Sequence, residues 1–485
     1  MWLRKLLNRC RFPFRRFRQS GRFAKEECGA ATPATRMFKR YLYYNYRAFS
    51  AFKFWLRRRI TNVGWLVLAA TLGTAALGVD TNSSLAHQTF AFLFCLVFVS
   101  AILLFWSGAK NISVRRVLPR FGSAGQTLFY SMIVGNQSRR PQKALKVKDE
   151  MLDPRPSFKQ FATTPEPGEE KRNAFDRLYI FHRWNWLISQ NTRASTEEHS
   201  FPDLLPRTEQ NVRMELMPLR RGVLRFSSVA IVTFDPFGLF RALKRLPAPQ
   251  SVLILPKRYT VPPIELPGSM KYQQGGVSMA SSIGESEEFV SLREYRPGDP
   301  LRRIHWKSFA KTGKPIVKEF QEEFFVRHAL VLDTFCPHSH SEVFEEAVSV
   351  AASLAYTIQN QDSLLDLMFV GPQAYCFTSG RGVAHTEQML EILASVETCR
   401  DKKLDSLEDL ALEHGNQISG CVCVFLEWDD ARQNFVRTLK SQGIPLLVFV
   451  ITEKDVPLDP GPMADRPENF HPLPMGKIEE KLSAL

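Results

Sequence analysis

Two stretches of this chain have no polar rhythm. VGWLVLAATLGTAALGV (63–79) and TFAFLFCLVFVSAILLFWS (89–107) carry no charge, and the nine-residue segment DTNSSLAHQ separates them. With Ile60 included, the first run is long enough to cross about 30 Å of hydrocarbon at about 1.5 Å per residue, and so is the second. The pattern predicts a two-helix transmembrane hairpin over 60–107. Two buried core helices would show a polar stripe, and neither run has one.

Beyond residue 107 the rhythm changes twice. ISVRRVLP, TLFYSMIVGN and ALKVKDEM, then VRMELMPL, GVLRFSSVAIVT and SVLILPKR, alternate apolar and polar positions between turn signals such as GNQSRRP. That alternation predicts a β-rich, antiparallel, sandwich-like domain over 108–270. A stretch rich in Pro and charge interrupts it near 154–206, and within it NAFDRLYIFHRWNWLISQ reads as one amphipathic helix. From Ala329 short apolar runs alternate with helical patterns: ALVLD, SEVFEEAVSVAASLAYTIQ, LLDLMFVG, AYCFTS, TEQMLEILASVE, CVCVFLEW, DDARQNFVRTLKSQ and PLLVFVIT as the last strand. Such alternation predicts an α/β domain over 329–485, a parallel sheet covered on both faces. GKIEEKLSAL closes it as a short helix.

Charge refines this picture through its location. The net charge of +15 lies entirely in residues 1–59, which hold 17 Lys and Arg against Glu26 and Glu27; the rest balances at 47 basic and 47 acidic residues. The folded body therefore offers no electrostatic case for nucleic acid. RCRFPFRRFR and KRYLYYNYRAF mix Arg with Phe and Tyr, a composition that suits an anionic leaflet. It is too long a basic region for a cleaved signal peptide. An organelle transit peptide shares the composition, and Met37 is an alternative start. Arg57, Arg58 and Arg59 precede the first apolar run, Lys110, Arg115, Arg116 and Arg120 follow the second, and the loop has no Lys or Arg. The positive-inside rule then places both ends and the soluble domains in the cytoplasm, as in a bacterial inner membrane. Eight cysteines show neither a CxxC pair nor zinc-ligand spacing, and Cys421 and Cys423 share one face of a strand.

The densest chemistry lies in 271–328, the segment joining the two soluble domains. EEFVSLREYRPGDPLRRIHWKSFAKTGKPIVKEF sets turn signals at Pro297-Gly298 and Thr312-Gly313-Lys314-Pro315 around a helix-like PLRRIHWKSFAK. Glu288, Arg293, Glu294, Arg296 and Asp299 are placed to pair with Arg302, Arg303 and Lys307 around Tyr295 and Trp306. A dense ion-pair network of this kind fixes geometry better than it adds stability. The expected role is an interdomain latch, its exposed part serving as a docking surface with Arg293, Arg302, Trp306 and Lys307 as the hot spot. A catalytic alternative would use His305 as a base with Ser291 or Ser308 as nucleophile, although neither serine sits in a GxSxG elbow.

Three landmarks resemble the membrane proteins that carry the domain of unknown function fifty-eight. They are RRGVLRFSSVAIVTFDPFGLF (220–240), the joining segment just quoted (287–320), and the strand end at Asp333. The resemblance covers roughly residues 60–450. It implies a von Willebrand factor A-like C-terminal domain, a MoxR-type AAA+ ATPase as working partner and a transglutaminase-like membrane protein as frequent neighbour. It supplies no enzymatic activity. A von Willebrand A domain would hold Mg²⁺ through Asp-x-Ser-x-Ser, where this chain reads Asp333-Thr334-Phe335-Cys336-Pro337; the Asp stands and both Ser positions are lost. Glu427, Asp429 and Asp430 lie on a later loop, and His338 and His340 are close in sequence. The leading expectation is a non-enzymatic membrane adaptor working with the ATPase. The alternatives are a divalent-cation-dependent receptor using Asp333, a hydrolase built on His305, and a scaffold without an ATPase partner.

Overall fold

The computed structural model describes residues 33–77, 84–106, 111–264, 289–320 apart from Gly298, Pro300, Arg302 and Arg303, 327–337, 341–359, 364–379 and 383–485. The chain divides into two compact units. One takes the chain up to Arg116 with Met132–Val212 and Phe226–Pro249; the other takes Val117–Ser131, Arg213–Arg225 and Gln250–Leu485. The division departs from a single boundary at 270, because three separate pieces of the β-rich region belong with the α/β unit.

The first unit begins with three helices, α1 (Pro33–Arg59), α2 (Asn62–Leu77) and α3 (Ser84–Trp106). Three arginines in the last turn of α1 suit the negative end of its dipole. Thr61 then starts α2 by accepting the Gly64 N–H on its hydroxyl at 2.9 Å. α2 and α3 pack side by side. Within α3, Leu85–Leu104 is long and apolar enough to cross a membrane, whereas α2 is apolar but has 16 residues. That is about 24 Å of helix, short of a full hydrocarbon core. The last two residues of the first apolar run and the first four of the loop after it lie outside the described residues.

The β-rich region contains β1 (Ile112–Val117), β2 (Phe121–Ser123), β3 (Leu128–Asn136) and β4 (Lys146–Met151), helices α4 (Phe158–Thr163), α5 (Ala174–Tyr179) and α6 (Phe181–Asn191), then β5 (Ala194–Thr196), β6 (His199–Ser200), β7 (Glu209–Pro218), β8 (Gly222–Phe234) and β9 (Arg241–Leu255). They form a four-stranded sheet, β1-β3-β7-β5, and a five-stranded sheet, β2-β9-β8-β4-β6. β4 is antiparallel to both neighbours, but β2 runs parallel to the end of β9, so the sheets are not wholly antiparallel as the alternation suggested. Residues 158–191 hold the three helices α4, α5 and α6, and Ile180, with a φ of 55°, divides the expected single helix into α5 and α6. The break lets Ile180 bury its side chain with Phe161, Trp184 and Leu187 against Tyr43 of α1.

One turn ties these helices to the sheet. Asp235 of DPFGLF accepts the N–H groups of Phe237 at 3.0 Å and Phe240 at 2.6 Å, and the hydroxyl of Ser100 in α3 at 2.5 Å. Thr61 donates its N–H to Leu239 O at 3.0 Å and its hydroxyl to Gly238 O at 2.7 Å. Gly64 packs so close that an added Cβ would lie 2.2 Å from Leu239 O. The glycine is needed for that approach.

The second unit holds β10 (Phe289–Glu294), α7 (Trp306–Thr312) and β11 (Ile316–Phe320), followed by β12 (Arg327–Leu332), α8 (Glu342–Gln359), β13 (Leu364–Val370), β14 (Ala374–Ser379), α9 (Val383–Ser395), α10 (Asp405–His414), β15 (Gly420–Phe425), α11 (Asp430–Ser441), β16 (Leu446–Thr452), β17 (Phe470–Pro474) and α12 (Ile478–Ser483). Its main sheet has the order β14-β13-β12-β15-β16-β17, parallel except for β14 at one edge. Leu330 and Leu332 point into a cluster with α8 and α9, while Ala329 and Val331 join Leu407, Phe435 and Leu439 of α10 and α11. Burial on both faces explains the unbroken apolar runs. β17 extends the sheet past the expected last strand; its sequence FHPLP holds two prolines, which an edge strand tolerates and a strand pattern hides. From the other end, Arg221 donates to Leu393 O at 3.2 Å and Val396 O at 2.6 Å, pairs with Glu345 and lies over the Phe344 ring. The Arg-Gly landmark thus belongs to the α/β unit.

Two outcomes are expected. Asp235→Ala strands two N–H groups and the buried Ser100 hydroxyl, and should cost roughly 2–4 kcal/mol in denaturant unfolding of the detergent-solubilised protein. Burial lowers His328 in β12 to about 4, so the unfolded chain takes up a proton there that the folded one does not. Stability is then complete above about pH 6.5 and falls as pH drops toward 4, by up to roughly 3 kcal/mol. His328→Leu should flatten that part of a melting-temperature profile.

Candidate functional site

A parallel sheet opens a crevice where the chain reverses its direction of strand addition. Here β13 and β15 flank β12, so the crevice lies at the carboxyl ends of β12 and β15. Asp333 follows β12 directly and is wholly buried. Its carboxylate accepts the Phe335 N–H at 2.9 Å, the Leu426 N–H at 3.2 Å, and two guanidinium nitrogens of Arg432, each at 3.0 Å. Arg432 comes from the first turn of α11, where Asp429 caps the helix by accepting the Arg432 N–H at 3.0 Å and binds its guanidinium at 2.7 Å. Glu427 stands 3.9 Å from the same group, and Arg432 also donates to Phe335 O at 3.3 Å. Burial pushes the Asp333 carboxyl up while Arg432 and the two N–H donors pull it down; the two aspartates hold the Arg432 guanidinium above its ordinary value.

These residues do not fit the Mg²⁺ site that the resemblance implies. A guanidinium takes the seat of the cation, Thr334 spends its hydroxyl on Val370 O, and Phe335 and Pro337 bring no side-chain oxygen. Among the described residues no three His, Cys, Asp or Glu side chains gather to hold a metal ion. His338 and His340 lie outside the described residues. Sequence reasoning passed over Arg432; its signal was the WDDAR run, a capping Asp followed by Arg three positions on.

The joining segment folds on itself. β10 and β11 form an antiparallel ribbon, Ile304 pairs with Val317, and His305 donates its N–H to Ile316 O at 2.8 Å. Trp306–Thr312 forms the α-helix of this stretch, and Gly313 closes it with φ 68°. Arg293 grips Asp299 through two bonds of 2.7 and 2.8 Å, and the Arg296 N–H adds a third at 2.9 Å. That grip lowers Asp299 to about 2. So Arg293 pairs with an acid of its own turn, Lys314 lies 3.6 Å from Glu294, and the Tyr295 N–H reaches Pro315 O at 2.9 Å. Glu288, Arg302 and Arg303 lie outside the described residues. The His305 ring sits 2.7 Å from the Ser308 hydroxyl. Lys307 is exposed, Trp306 is 63% exposed, and its ring meets Phe309 edge-on at 6.0 Å; Leu292 and Leu301 are exposed as well. The structure thus gathers Arg293, Asp299 and Tyr295 in one turn and presents Trp306 outward, while Asp333 belongs to the separate crevice.

Removing Arg432 should cost about 3–5 kcal/mol, because it leaves a buried carboxylate without a partner. It should also bare Asp333, Asp429 and Glu427 around one cavity. Millimolar Mg²⁺ is therefore expected to raise the melting temperature of Arg432→Ala and to leave the unmodified protein unmoved. A clear Mg²⁺ shift in the unmodified protein would contradict this assignment.

Comparison with known proteins adds one family and a few distant likenesses. The Bacillus subtilis protein described as "Uncharacterized protein YeaD" is 29% identical over 184 residues, 37% of this chain and 44% of that one. The chain therefore spans less than half the length of this relative. Two structures of the CARDB domain of a Pyrococcus furiosus protein, one of them with di-metal ions, align with 30% of this chain and over nine-tenths of that domain, at 11% and 12% identity. Their TM-score of 0.16 leaves the likeness without weight. Residues 291–443, which hold most of the quoted joining segment and the Asp333–Arg432 crevice, match the family described as "Protein of unknown function DUF58".

Proposed function

We propose that this protein is a non-enzymatic, membrane-anchored adaptor whose joining segment docks a cytoplasmic partner, by the family resemblance a MoxR-type AAA+ ATPase. The observation that carries the reading is the exposed Trp306–Phe309 pair on α7, with Leu292 and Leu301 exposed beside it in sequence and Lys307, Lys311 and Lys314 exposed around it. Trp with neighbouring cations is the composition of an interface hot spot. The charged groups behind it hold its shape, as Arg293 and Asp299 do for the turn.

In this reading α2 and α3 form a two-span hairpin in a bacterial inner membrane with both ends cytoplasmic. The exposed apolar side chains of α3, Phe92, Phe94 and Phe98 among them, support it, as does the distribution of Lys and Arg on either side. The sheets of the first unit are read as sandwich-like. The six-stranded sheet, with its Asp at the end of the first strand, is read as a von Willebrand factor A-like domain that works without a metal. A transglutaminase-like membrane protein is a further proposed partner.

The hydrolase reading has one contact in its favour, His305 to Ser308 at 2.7 Å. The two residues are three apart at the start of α7, so the contact follows from local helix spacing, and His305 holds its segment through the N–H bond to Ile316 O.

The test is capture of the neighbouring MoxR-type ATPase by the full-length protein in detergent, with and without nucleotide. Trp306→Ala/Phe309→Ala is expected to weaken capture at least tenfold, about 1.4 kcal/mol or more, with an unchanged melting temperature. Capture that survives the double substitution would confine the segment to a structural role, and absence of capture by either form would reject this partner.

A further inference from the structure

α1 has two unlike faces. Leu42 and Tyr43 are buried, and Tyr43 and Tyr46 pack on Phe161 and Trp184 of α4 and α6. On the opposite side Met37, Tyr41, Tyr44, Ala48, Phe52 and Trp55 recur at spacings of four and three. At about 100° per residue they fall within roughly 80° of arc, a single stripe. Its five large members are between 52% and 75% exposed.

The stripe has a charged border. Arg40, Arg47 and Arg58 run along one side, and their guanidinium groups lie over the Tyr44, Tyr43 and Phe54 rings at 5.9, 6.0 and 3.9 Å. Phe38 and Phe49 line the other side and are exposed. Across Pro33–Arg59 there are eight Lys and Arg and no acidic residue. The helix ends three positions before α2 begins.

We propose that this outer face of α1 is a binding surface for anionic lipid, lying in the headgroup layer with Tyr41, Tyr44, Phe52 and Trp55 at the acyl boundary. The inference rests on reading α2 and α3 as embedded in the membrane. Tyr and Trp favour the interface because one end of each ring system is polar. Arginines over rings carry the charge without leaving the apolar layer. A second copy of the chain is disfavoured as the occupant, since α1 has no acidic residue and its exposed cations, Arg40, Arg47 and Lys53 among them, would meet their like. An anionic leaflet supplies the missing negative charge near the surface.

Hydroxyl-radical footprinting of the full-length protein in nanodiscs tests this, comparing phosphatidylcholine alone with a mixture containing phosphatidylglycerol. Oxidation of Tyr41, Tyr44 and Trp55 should fall about threefold or more when the anionic lipid is added. Tyr375, exposed in the α/β unit, should not change, and Tyr43 should stay unreactive in both. Arg40→Glu/Lys53→Glu should abolish the lipid dependence while Tyr43 remains protected, which reports that the helix is still seated. Equal reactivity in both lipids would overturn the proposal and leave the membrane reading intact. Equal protection in both would assign the face to a contact that does not depend on lipid charge, and would overturn it too. Failure of the protein to enter nanodiscs would overturn both readings.

Discussion

A carboxylate taken wholly out of water must be matched by a cation, and in this chain the cation is covalently part of the fold. Asp333 is held by Arg432 and by two backbone N–H groups at the meeting point of β12, β15 and α11. The pair fixes where α11 starts, because Asp429 caps that helix and shares the same guanidinium. It also closes the crevice that a parallel sheet opens where its strand order reverses. A diffusible ion would make this junction depend on solution conditions; a guanidinium makes it permanent. Ion pairs of this kind add little net stability but tolerate no missing partner.

The other charged landmarks follow the same logic. Arg221 reaches two carbonyls at the end of α9, Asp235 organises a turn through two N–H groups and a serine, and Arg293 with Asp299 closes the bend after β10. Each charged group is occupied in holding backbone. Outward in the described part of the joining segment stand the apolar and aromatic Leu292, Leu301 and Trp306, with Lys307, Lys311 and Lys314 exposed as well.

Much of the architecture was legible in the chain itself. Strands β12, β13, β15 and β16 are runs of Val, Leu, Ile and Phe buried on both faces, and such runs are hard to mistake. β17 escaped because its two prolines resemble a loop, and α10 because its mixed charged and apolar residues sit among turn signals. The break at Ile180 depended on a left-handed residue that local pattern does not announce. In the joining segment the turn positions were readable, but the pairing of Arg293 was not, since an arginine side chain reaches any of several acids with similar energy. Asp333 was found by its place after a strand; its partner lies 99 positions away, and spacing has no power at that range.

One further property follows from the junction between α1 and α2. Only Ile60 and Thr61 separate the two helices, and both are fastened to the turn that leads into β9: Ile60 pairs with Phe240, and Thr61 bonds Gly238 and Leu239. A joint with so little slack behaves as a rigid elbow. A change in the direction of α2 has no flexible linker in which to dissipate. It is delivered instead to the strands on either side of that turn, so the elbow couples the angle of α2 to the sheet.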